Sequence, residues 1–165
     1  MKNIKTFAAA ITLALGSASG AALAQESPAI DNFDVTITIL DTCTIDTTAA
    51  DLAFGEQFST ATDIQAQSQL AVYCTRGTEF SIALDGGTAG DTSARTMTGA
   101  GGEEVPYQLY QDAARSVVWG EGPNAMEDGT TGTGAEETFE VYGLVPSANV
   151  PAGDYSDTVT VTVAW

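Results

Sequence analysis

The run Phe33-Asp34-Val35-Thr36-Ile37-Thr38-Ile39-Leu40 places Phe33, Val35, Ile37 and Ile39 on one side of an extended chain and Asp34, Thr36 and Thr38 on the other. Strict alternation rich in β-branched residues predicts a strand with one buried face. The run follows an N-terminal segment with the marks of an export signal and shortly precedes Cys43. A strand this apolar needs a groove in which to bury its face, and the question is whose. One answer is an ordinary first strand of a complete sandwich; the other is a strand meant for a different molecule.

Lys2 and Lys5 give a positive start, Phe7 to Leu15 an apolar core, and Ala22-Leu23-Ala24 a small-x-small cleavage pattern before Gln25. The apolar run is shorter than the roughly 18 residues a transmembrane helix needs. Residues 1–24 are therefore predicted to be a secretory signal, and no membrane insertion of the mature chain is expected. Two cysteines, Cys43 and Cys74, remain in an exported chain, which favours a disulfide over a metal or redox centre. Closing that loop would stabilise the fold by roughly 3–4 kcal/mol.

The 165-residue chain has a formal net charge of −17. With both lysines inside the predicted signal, the remainder keeps Arg76, Arg95 and Arg115 against 22 acidic residues. Such a surface repels nucleic acid and anionic membranes and keeps crowded copies apart. The absence of histidine removes imidazole bases and His metal ligands, and the loss of lysine removes Schiff-base chemistry. The adjacent Glu136 and Glu137 point to opposite faces of a strand and make a poor glycosidase pair. A calcium loop from Asn124 fails at Met126 and Ala135, and Gly86 to Asp91 is one residue off a calcium-binding repeat that occurs once. No enzyme, no cofactor and no metal site is expected. Trp119 and Trp165 could be sugar-stacking platforms, but core or interface positions suit them better.

Further strands are expected where alternation returns. Ile64, Ala66, Ser68, Leu70, Val72 and Cys74 share a face, which points Cys74 inward, where a bridge to Cys43 would tie the start of the domain to this strand. Phe80, Ile82 and Leu84 share another, as do Val105, Tyr107 and Leu109. Ala94–Thr98 and Ser116–Trp119 read as short strands, Thr138–Val145 as a central one, and Gly120–Glu137 as a long, mobile loop. The last run places Tyr155, Val159, Val161, Val163 and Trp165 on one face and is expected to be a single strand ending at the last residue. Short strands, frequent turns and no helical periodicity predict an all-β sandwich.

Several pieces, in order, resemble the spore coat protein U domain family, whose members include subunits of archaic (Csu-type) chaperone–usher pili. They are Cys43-Thr44-Ile45, Leu52-Ala53-Phe54-Gly55, Val72-Tyr73-Cys74-Thr75, Phe80 to Asp85, Arg95-Thr96-Met97, Tyr107 to Arg115, Val118-Trp119-Gly120, Val141-Tyr142-Gly143 and Pro151 to Val159. The resemblance implies an incomplete immunoglobulin-like β-sandwich lacking its last strand and completed by donor-strand complementation. Residues 25–42 would form the N-terminal donor extension and 43–165 the pilin-type domain. The donor anchors would be Phe33, Val35, Ile37 and Ile39, received by a groove containing Val159, Val161, Val163 and Trp165 of another copy. Burying four such side chains would gain roughly 6–12 kcal/mol before ordering costs. The partners implied are other copies or related subunits, a periplasmic chaperone and an outer-membrane usher, with a route from periplasm to cell surface. The alternative is a self-contained secreted or coat-associated binding protein of the same fold.

Overall fold

The two longest strands lie side by side at the centre of the sheet. In this computed structural model, which describes residues 27–46, 51–126 and 130–165, the chain divides into two units at Ile37/Thr38. The predicted signal, residues 1–24, lies outside the described residues. Residues 27–37 of the first unit form no helix or strand and are exposed.

The second unit is all-β. Its strands are β1 (Cys43–Asp46), β2 (Thr62–Cys74), β3 (Ser81–Leu84), β4 (Arg95–Gly99), β5 (Glu104–Tyr110), β6 (Glu136–Ser147), β7 (Tyr155–Ser156) and β8 (Val161–Ala164). Six form one antiparallel sheet in the order β1-β2-β6-β5-β4-β7, while β3 and β8 form a second. β2 and β6 pair from Thr62↔Ser147 to Tyr73↔Glu136. Cys43 stands directly opposite Cys74 across the β1–β2 ladder, and the two are bonded, with Cα atoms 4.1 Å apart.

The core is the sum of the inward faces. Ile64, Leu70 and Val72 of β2, Val105, Tyr107 and Leu109 of β5, and Val141 and Val145 of β6 pack against Phe80, Ile82 and Leu84 and against Trp119. Two sheets thus enclose one apolar layer, the arrangement of an immunoglobulin-like sandwich. Trp119 has no exposed surface and donates its indole N–H to Ile82 O at 2.8 Å. This satisfies the one polar atom of its ring.

Three expectations are corrected. Ser116–Trp119 is not a strand; only Val118 forms a bridge, to Tyr110, because the Asp112 carboxylate holds the Ser116 and Val117 amides in a turn. The described parts of the stretch 120–137, residues 120–126 and 130–137, are not a free loop. Met126 exchanges both backbone bonds with Ile82, Phe80 N donates to Thr130 O, and Gly132 N donates to Thr78 O. Without that stretch the outer edge of β3 would leave amides unpaired. The final run is two strands, not one. β7 pairs with β4 in the large sheet, residues 157–160 cross over, and β8 pairs with β3 in the small one.

Arg95 is the residue the periodicity hid. Its side chain is fully buried, yet it donates to five acceptors: Leu84 O (3.0 Å), Asp85 O (2.6 Å), Thr92 O (3.3 Å), Trp119 O (2.9 Å) and Gln108 Oε1 (2.6 Å). Burial draws its pKa below the usual arginine value, opposed by Tyr107, Asp85 and Asp157 nearby. One guanidinium therefore ties the ends of β3 and of the Trp119 turn to β4 and β5.

Candidate functional site

β1 ends the large sheet and β8 ends the small one. The two come close to each other but share no ladder. Between them a cleft of about 680 Å³ opens into the core. Ile45 lies on the β1 side, and Val159 and Val161 on the other. Leu70, Leu109 and Val141 from the large sheet and Leu84 from the small one lie deeper. Leu52 and Phe54 also reach in, over Gly143. A Cβ at that glycine would lie 2.8 Å from both side chains, so their place depends on its absence.

One end of the cleft is polar. Tyr107 donates its hydroxyl to Asp157 Oδ2 at 2.6 Å, and Asp157 Oδ1 accepts from Thr88 N and Thr158 N, each at 2.8 Å. Burial alone would raise the Asp157 pKa; the bonds from Tyr107, Thr88 and Thr158 outweigh it and hold the carboxyl below its ordinary value. The same burial, with the Asp157 bond, pushes the Tyr107 phenol far up. Asp85 braces the crossing segment from the next turn: its Oδ1 accepts from Gly87 N and Thr160 N, both at 2.9 Å. Those bonds and the Arg95 charge overcome the desolvation of Asp85 and lower its pKa. Gly87, at φ +61°, lies against the Asp157 carboxylate, where a Cβ would collide with it.

Of the predicted groove residues, Val159 and Val161 line the cleft and Val163 is half-buried against the core. Trp165 is 59 % exposed and is not brought to the cleft; it lines a separate, polar depression with Glu79, Ser81 and Thr131. The predicted donor residues Phe33, Val35, Ile37 and Ile39 are 86, 85, 83 and 71 % exposed. The chain enters the sandwich at a fixed point. Thr75 N donates to Thr42 O at 2.9 Å, Thr75 Oγ1 to Leu40 O at 3.2 Å, and Thr78 Oγ1 to Asp41 Oδ1 at 3.0 Å.

Sequence reasoning found the last-strand valines and missed most of the lining. Leu70, Leu84 and Leu109 were legible as inward-facing, but patterning does not distinguish a closed core from an open cleft. Asp157 carried a signal that went unread: it has the same parity as Val159 and Val161 and breaks their apolar row. Among the described residues, no three His, Cys, Asp or Glu side chains converge to hold a metal ion.

Comparison with known proteins agrees with this architecture. The model of the Spore Coat Protein U domain matches residues 29–162. Protein U of Myxococcus xanthus is 32 % identical over 183 aligned residues, which take in the whole of both chains. Among solved structures, the fold is similar to a chain in the crystal structure of the CsuC-CsuE chaperone–tip adhesion subunit pre-assembly complex from archaic chaperone-usher Csu pili of Acinetobacter baumannii. The TM-score there is 0.56 at 22 % identity, and the match covers 78 % of this chain and 41 % of that one. On the match to its domain model and the full-length similarity to Protein U, the chain belongs to the Spore Coat Protein U domain family.

Proposed function

We propose that this protein is a structural subunit of an archaic chaperone–usher pilus, not an enzyme. Its N-terminal run Phe33–Leu40 enters the groove of a neighbouring copy and completes that neighbour's sandwich. The observation that carries the reading is the cleft itself. It is mostly apolar, it reaches the core, and it is flanked by two strand edges with no ladder between them. A strand added there would pair with free backbone groups and fill the cleft with every second side chain. The same chain carries an exposed run with that alternation. Head-to-tail contacts that do not close on themselves build filaments.

On this reading residues 1–24 direct export, a periplasmic chaperone occupies the groove before assembly, and an outer-membrane usher exchanges it for the next subunit. The pilus serves attachment and biofilm formation. The family's spore-coat members and the relation to Protein U favour one other reading: a self-contained coat-associated surface protein.

Comparing residues 43–165 with and without a copy of Phe33–Leu40 fused after Trp165 separates the two. The fused form is expected to be a stable monomer, and the unfused form to aggregate without a chaperone. Equal stability in thermal unfolding would overturn the fibre reading in favour of the self-contained one.

A further inference from the structure

From Tyr155 to Val163, half-buried and exposed positions alternate straight through the crossing between β7 and β8. The half-buried row reads Tyr155, Asp157, Val159, Val161, Val163. Its carboxylate lines the polar end of the cleft and is fixed there by Tyr107 Oη, Thr88 N and Thr158 N. The strand-patterned run has a matching form. Its four apolar residues are bounded, on the same side of the chain, by Asp31 two positions before Phe33 and by Asp41 two positions after Ile39.

Resting on the strand-insertion reading above, we propose that Asp157 is the register stop of the groove, a specificity-determining residue that bars a strand from another copy from settling one pair short of full insertion. Side chains on one face of a strand recur every second residue, so neighbouring registers differ by one such pair. In one register the acid that bounds the donor row stands opposite Asp157, whichever donor end leads. Two carboxylates then meet in a half-buried place where salt screens them poorly. In the register one pair further back, that acid sits among the valines without a partner, which desolvation forbids. The register that remains carries the acid past Asp157 to the half-exposed end of the cleft beside Tyr155. The leading apolar side chain then packs over the Tyr107 ring, and the other three lie against the valine row.

The test uses the full chain and a synthetic peptide of residues 27–42 with a photoactivatable side chain in place of Thr36. Cross-linked positions are mapped by mass spectrometry. The native chain should give one register. Asp157→Asn should raise a second, offset by two residues, by about tenfold. A peptide carrying Asp31→Asn and Asp41→Asn should produce the same second register on the native chain, an arm that holds even where the protein variant fails to fold. A single register in both arms would overturn the stop while leaving strand insertion standing. No cross-link to the groove from any of these peptides would overturn both.

Discussion

A buried cation without a carboxylate partner in contact is rarely kept unless its donors are all used, and Arg95 uses them on four carbonyls and one amide oxygen. Removing it would take the guanidinium from Leu84 O, Asp85 O and Trp119 O in a dry interior, while Thr92 O and Gln108 Oε1 keep a second donor in Gln108 Nε2 and Leu109 N. Arg95→Met should therefore destabilise the fold by about 3–5 kcal/mol in urea unfolding, out of a total of roughly 5–15 kcal/mol. Arg95→Lys should recover little, because one ammonium cannot span acceptors spread over several turns. Nothing in local periodicity announces such a residue. Arg95 opens a short strand of mixed burial, and its importance appears only once β3, β5 and the Trp119 turn converge on it. The inward hydrophobes are the opposite case. Ile64, Leu70, Ile82, Leu84, Val105 and Leu109 were legible from sequence because strand geometry alone assigns their faces.

At the scale of elements, the uneven part is the pair of edges around the cleft. β2 is paired on both sides, by β1 and β6, whereas β1 and β8 each have one neighbour. Hydrogen exchange should follow that difference, with central β2 and β6 amides slow and those of β1 and β8 fast. Adding a peptide of residues 27–42 should slow the β1 and β8 amides by roughly 10–100-fold and leave β5 unchanged. Uniform slowing of all strands, or none, would argue against insertion between these edges. The sequence showed that the C-terminal run alternates, but not that it changes sheets. The alternation persists through residues 157–160 because both sheets face the same core, so a period of two cannot reveal the crossing.

Over the whole molecule, the polar end of the cleft contributes to how stability varies with pH, beside the surface carboxyls Asp91 and Asp112, which hydrogen bonds from Ser93 and from Val117 and Ser116 also hold low. Asp85 and Asp157 titrate lower in the folded chain than at the ordinary 3.8. Their contribution is full above about pH 4 and is lost as pH falls below it. Tyr107 titrates above the ordinary 10.0, so its contribution is full below about pH 10 and is lost as pH rises beyond it. Thermal melts across this range should show a plateau between the two limbs. Asp157→Asn should flatten the acid limb, and Tyr107→Phe should blunt both, since it removes the phenol and one of the bonds that holds Asp157 ionised. A Tyr107→Phe profile that keeps its alkaline limb would show that another group governs it. Net charge alone, legible from composition, would have indicated acid-dependent behaviour without saying which carboxyls matter.

The bridge at the root of the N-terminal extension has a mechanical meaning. A pull on residues before Cys43 does not have to peel the four-residue β1 away from its neighbour one bond at a time. The sulfur–sulfur link hands the tension to Cys74, at the end of the longest strand, whose ladder with β6 runs almost its full length. Force entering there is shared by many backbone bonds at once, so a chain of such subunits would resist stretching through its longest ladder and not through its shortest strand.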